Sequence, residues 1–255
     1  MLLMNYLVNK YKPNSLCEIK GQDKNVKIFN HFLESKNVPN LLLYGPKGTG
    51  KTSTISAFCR ELYGKDYKKY IIELNASHER GINDVRNKIK SISKLLINHP
   101  TIPYKFIILD EADSMTPDAM FALRMIMEDY SKITRFCLIC NYPYKIIDPI
   151  ISRCISLYFP TITNKAMEER IKMIDSNYSN ENVENILTYS NGDFRKALLN
   201  YQFISGYKSQ ENLYNKYKEF WETLKSGNIN ELKDLCELID DNSYNGKEIL
   251  QHFNK

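Results

Sequence analysis

Eight consecutive residues, Gly45-Pro46-Lys47-Gly48-Thr49-Gly50-Lys51-Thr52, constrain this chain more than any others. They fit the pattern G-x-x-x-x-G-K-[ST], a loop that works only between a strand and the first turn of a helix. The apolar run Leu41-Leu42-Leu43-Tyr44 supplies the strand, and the residues after Lys51 read as a helix. A loop in that setting binds nucleotide phosphates. Its backbone N–H groups and the helix N-terminus wrap the anion, Lys51 reaches the terminal phosphates as a point charge, and Thr52 offers its hydroxyl to magnesium. The bland alternative is a glycine turn with an incidental lysine, and the strand and helix on either side argue against it.

Residues 41–160 alternate short apolar runs with helical patterns, the signature of a parallel sheet covered on both faces. Strands are expected at Leu41 to Tyr44, Tyr70 to Leu74, Phe106 to Leu109, Arg135 to Cys140 and Ile155 to Phe159. Between the second and third, Ile82, Val85, Ile89, Ile92 and Leu96 recur at spacings of three and four, which predicts an amphipathic helix. After the third, Thr116-Pro117-Asp118 orders a capping hydroxyl, a first-turn proline and an acid, so a helix starts there and runs to about Tyr130. From Thr163 onward the pattern is helical, over Lys165 to Asp175, Val183 to Tyr189 and Asp193 to Ser205. Two more amphipathic stretches follow, Leu213 to Lys225 and Ile229 to Ile239. The expected organisation is a sheet domain over 1–161, a small helical lid domain over 162–206 and a further helical segment over 207–255.

A chain of 255 residues buries a substantial core, and its 43% hydrophobic and 25% charged residues are ordinary for a soluble globular protein. A formal charge of +5 leans only mildly toward anionic partners, so local clustering must decide that question. No apolar run approaches a membrane span, and the first residues are too quickly interrupted for a secretion signal; an intracellular protein with no membrane partner is expected. The six cysteines are scattered. Cys137 and Cys140 form a C-x-x-C, but in a strand positions three apart point to opposite faces and cannot grip one metal, so core packing is the better reading.

Chemistry concentrates at strand ends. Phe106-Ile107-Ile108-Leu109 delivers Asp110 and Glu111 to the end of a buried strand. In a phosphate-loop protein Asp110 joins Thr52 in the magnesium shell and Glu111 polarises the attacking water. Asn141, closing the next strand, suits a group that orients water or touches the γ-phosphate, and equally suits a turn. Ser152-Arg153-Cys154 puts a guanidinium on a loop edge, which is usually plain surface and also suits a finger completing a neighbour's ATP site. Gly192-Asp193-Phe194-Arg195-Lys196 opens a helix with Arg195 placed to close on the same chain's nucleotide. Asn83, Arg86, Asn87, Lys90 and Lys94 lie away from the apolar stripe of their helix, with Arg80 just before it. That face suits DNA phosphates, and it also suits solvent.

Together and in order, these residues resemble the AAA+ ATPases, specifically the small subunits of the replication factor C clamp loader, over roughly residues 5–205. Val8-Asn9-Lys10-Tyr11-Lys12-Pro13 is similar to the family's signature beside the adenine, and Gly21-Gln22 to the short motif after it. Glu73-Leu74-Asn75-Ala76-Ser77 with Glu79-Arg80-Gly81-Ile82 resembles the segment entering its DNA-facing helix. Asn141 falls on the first sensor, Ser152-Arg153-Cys154 on the trans-acting arginine motif and Arg195 on the second sensor. Leu7, Asn9, Lys12, Lys47, His78 and Met125 depart from the usual residues, which are tryptophan, glutamate, arginine, proline, aspartate and arginine respectively.

The resemblance implies an α/β fold, a RecA-like parallel sheet with flanking helices, followed by a small helical lid domain and a partial helical collar. It implies ATP and Mg2+ as cofactors, Val8, Tyr11, Lys12 and Pro13 against the base, and Arg80, Arg86, Lys90 and Arg124 on DNA. Catalysis falls to Lys51, Asp110, Glu111, Asn141 and Arg195, with Arg153 acting in trans. The implied partners are other clamp-loader subunits in a hetero-pentamer, a sliding clamp and primer–template DNA, in the nucleus if the source is eukaryotic and otherwise in the cytoplasm or at the replication site. Residues 207–255 suffice for part of a collar, from truncation or reduction. A non-hydrolysing scaffold subunit is the first rival, and the complete set Lys51, Thr52, Asp110 and Glu111 argues against it. A helicase loader or branch-migration motor is the second, disfavoured by Ser152-Arg153-Cys154 and by Glu79 to Ile82.

Overall fold

Side chains alternate across a strand, so a strand apolar at every position must be covered on both faces. Five strands build the centre of the molecule: β1 (Leu41–Tyr44), β2 (Ile71–Asn75), β3 (Lys105–Asp110), β4 (Thr134–Cys140) and β5 (Ile155–Tyr158). Of these, β1, β3 and β4 are buried along almost their whole length, whereas β2 and β5 are partly exposed. They are all parallel, in the order β2-β3-β4-β1-β5. This computed structural model describes residues 7–77, 85–96, 99–175 and 183–202. Arg80, Ile82, the side chain of Arg86 and the helices expected at 213–225 and 229–239 lie outside the described residues.

The two faces of the sheet carry separate cores. Leu41, Leu43, Phe106, Ile108, Cys137 and Ile139 point to one, where Phe29, Ile55 and Phe58 of helices α2 (Asp23–Ser35) and α3 (Lys51–Tyr63) pack. Leu42, Ile107, Leu109, Phe136, Leu138 and Cys140 point to the other, against Met120, Leu123 and Met127. Cys137 and Cys140 thus sit on opposite faces, both buried as thiols whose pKa burial raises. A short α1 (Leu7–Lys10) precedes these helices.

Local chemistry sets the helix ends. Thr116 accepts a hydrogen bond from the N–H of Ala119 and Pro117 follows it, starting the helix that runs over Pro117–Asp129. Between β2 and β3 the chain differs from a regular amphipathic helix. Val85–Ile89 is a π-helical turn and only Lys90–Lys94 continues as α4, numbering Pro117–Asp129 as α5. Ile89 is buried and Ile92 partly buried against the second core, whereas Leu96 is exposed. The wider turn shifts the stripe, and Leu95 is already extended, with ψ 126°.

Helix α6 (Asp148–Ile151) leads into β5, and α7 (Asn164–Ile174), α8 (Val183–Ser190) and α9 (194–202) follow it. Thr163 caps α7 through the N–H of Ala166. The chain forms two compact units, 1–199 and 200–255, and only residues 200–202 of the second are described.

Candidate functional site

Strand β1 lies between β4 and β5, so the chain leaves its carboxyl end where the crossovers diverge to either side. Registration of Tyr44 with Cys140 brings the start of the glycine loop beside Asn141, and Asn75 opposite Asp110 puts β2 and β3 ends at the same level. A cleft of about 310 Å³ opens there. It is lined by Lys47 to Thr52, Asp110, Glu111, Asn141 and Arg195, with Val8, Tyr11, Lys12 and Pro13 on its N-terminal side.

Glycine is required in the loop by both conformation and space. Gly45 has φ 142°, and a Cβ there would stand 2.2 Å from the Phe159 carbonyl oxygen. Gly48 has φ 69°, and its Cβ would fall 1.8 Å from an Asp193 carboxylate oxygen. Gly45 and Pro46 do not line the cleft, but their carbonyls accept from the Lys51 ammonium at 2.8 and 2.7 Å. Asn141 Oδ1 accepts from the same ammonium at 3.1 Å. Burial lowers the Lys51 pKa, opposed by the charge of Asp110.

Thr52 Oγ1 donates to Asp110 Oδ2 at 2.9 Å. The hydroxyl and the carboxylate come from the first turn of α3 and the end of β3, joined only by the fold. Glu111 follows in the left-handed region, φ 55° and ψ 39°, with an exposed side chain beside the cleft. A non-glycine residue held there stores backbone strain, a feature concentrated at functional positions. Its N–H donates to Asp110 Oδ1 at 2.9 Å.

Other residues hold this arrangement, and among them short-range patterns do not single out Asp113 or Arg170. Asp113 Oδ2 accepts from the N–H groups of Asn141 and Tyr142 at 3.2 and 3.1 Å, fixing the polar end of β4. Gln22 is buried and donates to the carbonyls of Thr49 and Pro160. Arg170 of α7 lines the cleft, donating to the Tyr11 carbonyl at 3.3 Å and pairing with Glu18 at 3.1 Å. The N–H of Phe194 donates to the Gly48 carbonyl at 3.1 Å, so the glycine loop itself sets the start of α9 and thereby the place of Arg195.

Arg153, Arg124 and Lys90 lie outside the cleft lining. Arg153 follows α6 and pairs with Glu128 on α5, which Arg124 also contacts. Asn87, Lys90 and Lys94 are exposed, whereas Ile89 of the same segment is buried.

The model of the ATPase family associated with various cellular activities (AAA) matches residues 41–161. Replication factor C subunit 2 of Saccharomyces cerevisiae is 48% identical, over 75% of this chain and 58% of that protein. Replication factor C subunit 4 of Homo sapiens is 45% identical, over 75% of this chain and 56% of that protein. The replication factor C small subunit of Sulfolobus acidocaldarius is 40% identical, over 96% of this chain and 80% of that protein. Against the yeast and human relatives the chain spans somewhat more than half their length. Among solved structures, the Thermotoga maritima RuvB Holliday junction branch migration motor shares the fold, with TM-score 0.58 and 20% identity over 92% of this chain and 73% of that one. The Aeropyrum pernix Orc1 protein in complex with DNA does so with TM-score 0.60 and 18% identity, over 76% of this chain and 60% of that one. With a RecA-like sheet, a phosphate loop and relatives of this similarity, the chain belongs to the replication factor C small-subunit family of AAA ATPases.

Proposed function

We propose that the chain binds ATP with magnesium in this cleft and hydrolyses it as one subunit of a clamp loader, which opens a sliding clamp and places it on primer–template DNA. The observation that carries the reading is the meeting of Thr52 and Asp110 at 2.9 Å beside the Lys51 ammonium, inside a loop that only glycine permits. A hydroxyl and a carboxylate in contact are hard oxygen donors that fit magnesium. When bound there, the ion supplies Lewis-acid polarisation of phosphoryl oxygens.

The chain's own groups divide the rest of the work. Lys51 exchanges the carbonyls of Gly45 and Pro46 for phosphate oxygens, which are charged acceptors. Asn141, held by Asp113, orients the attacking water or the γ-phosphate. Glu111 takes the proton as water adds to the γ-phosphorus and the bond to the β-phosphate oxygen breaks, releasing ADP and phosphate. Arg195 offers a cation in cis, and Val8, Tyr11, Lys12 and Pro13 form the wall for the base. Arg153, away from its own cleft, serves the nucleotide of a neighbouring subunit. Arg80, Arg86, Lys90 and Arg124 contact DNA phosphates without reading bases. Residues 162–206 act as the lid domain and 207–255 as part of the collar that joins subunits, in a hetero-pentamer that works in the nucleus of a eukaryotic source.

Equilibrium ATP binding and turnover in the assembled complex test the division of labour. Lys51→Ala is expected to lose tight binding, whereas Glu111→Gln keeps binding and loses about a hundredfold or more in turnover. Normal hydrolysis by Glu111→Gln would remove Glu111 from the role of base.

A further inference from the structure

Arg153 is held on two sides. Its Nη1 donates to the carbonyl of Pro149 at 2.7 Å and to Ser152 Oγ at 3.4 Å, both within its own turn. Its Nη2 pairs with Oε1 of Glu128, on the last turn of α5. The Nε of Arg124 reaches that same Oε1 at 3.2 Å. Helices α5 and α6 are both anchored in the second core, through Leu123, Ile126 and Met127 on one and Ile150 on the other. The anchor of Glu128 and the turn that carries Arg153 are therefore fixed relative to each other by packed elements.

We propose that Glu128 is a positioning residue for Arg153, presenting its guanidinium in a fixed direction for a phosphoryl group supplied by a neighbouring subunit. The proposal rests on the reading of Arg153 as a trans-acting group. A guanidinium carries five N–H donors in a planar fork, so it can be held by Pro149 and Glu128 and still donate to a phosphate. With its orientation set before assembly, little conformational freedom remains to be lost when the neighbour arrives. The Glu128 carboxyl is kept ionised beside the two guanidinium groups. Slight burial pushes its pKa up, but Arg124 and Arg153 outweigh that effect and hold it below the usual carboxylate range. An exposed pair of this kind adds little to stability, so its removal leaves the fold intact.

ATP hydrolysis by the complex of this chain with its neighbouring subunits tests the proposal, with ATP affinity and thermal midpoint of the isolated chain measured in parallel. Arg153→Ala is expected to lower kcat about a thousandfold. Glu128→Ala is expected to lower kcat about tenfold with KM within about twofold, leaving isolated-chain affinity and midpoint unchanged. Glu128→Gln keeps an acceptor oxygen and recovers part of the loss. Because Glu128 acts through Arg153, the double variant should be no worse than Arg153→Ala. Unchanged kcat in Arg153→Ala overturns the trans reading and the proposal with it. A loss in Arg153→Ala with none in Glu128→Ala, or additive losses in the double variant, overturns the proposal alone.

Discussion

The two ends of the sheet each bury a lysine, with different results. Lys105 opens β3 at 2% exposure and Lys51 stands at 7% beside the residues that close it. Both donate to backbone carbonyls, and burial lowers the pKa of both. For Lys105 burial is the whole cause, and its ammonium caps the end of α4 through the carbonyls of Ser93 and Leu95. For Lys51 the charges of Asp110 and Asp113 pull the other way, and the side chain borders a cleft that an anion can enter. Buried positive charge is structural where the fold supplies every acceptor from within, and receptive where acceptors can be exchanged for phosphate oxygens.

Substitution at the two lysines should separate these roles. The largest effect is expected from Lys51→Ala, which lowers ATP affinity about a hundredfold or more by calorimetric titration while leaving the thermal midpoint nearly unchanged. Lys105→Met should do the reverse, with unchanged ATP affinity and a loss of about 1–2 kcal/mol in denaturant unfolding. The cost is modest because the Ser93 carbonyl keeps the hydroxyl of Thr134 as a donor and only Leu95 loses its partner. If Lys105→Met weakened ATP binding as much as Lys51→Ala, the two ends would not be functionally distinct.

The smallest effect is in pH dependence. Burial sets the folded-state pKa of Lys105 below its unfolded value, so between the two the unfolded chain binds more protons and stability rises with pH. Wild-type protein should therefore gain on Lys105→Met as pH rises through that window toward the ordinary lysine pKa. A falling difference would show that the ammonium is favoured by its site.

The contrast also marks what is legible in the sequence. The glycine loop, Asp110, Glu111 and the Thr116 cap are local patterns, and the five strands stand within a residue or two of the apolar runs that suggest them. Lys105 reads only as the edge of a strand, because its role depends on carbonyls at the end of another element. Arg170 reaches Tyr11 across 159 positions, and no periodicity on α7 separates it from a solvent-facing arginine. Asp113 stands just after Glu111, and its purpose appears only when β3 and β4 pair and bring Asn141 alongside. The π-helical turn at Val85–Ile89 is hidden because spacings of three and four do not register a single widened turn.

Magnesium-dependent ATP binding tests most directly whether the carboxyl end of the sheet is the receptive one. The affinity of ATP would be measured by calorimetry with and without magnesium for the wild-type chain, Thr52→Val and Asp110→Asn. Magnesium is expected to tighten binding to the wild type by at least about tenfold, and most of that gain should vanish in both variants, whose oxygen donors meet at 2.9 Å in the folded chain. An undiminished magnesium effect in both variants would place the metal nucleotide elsewhere and contradict the assignment of this cleft.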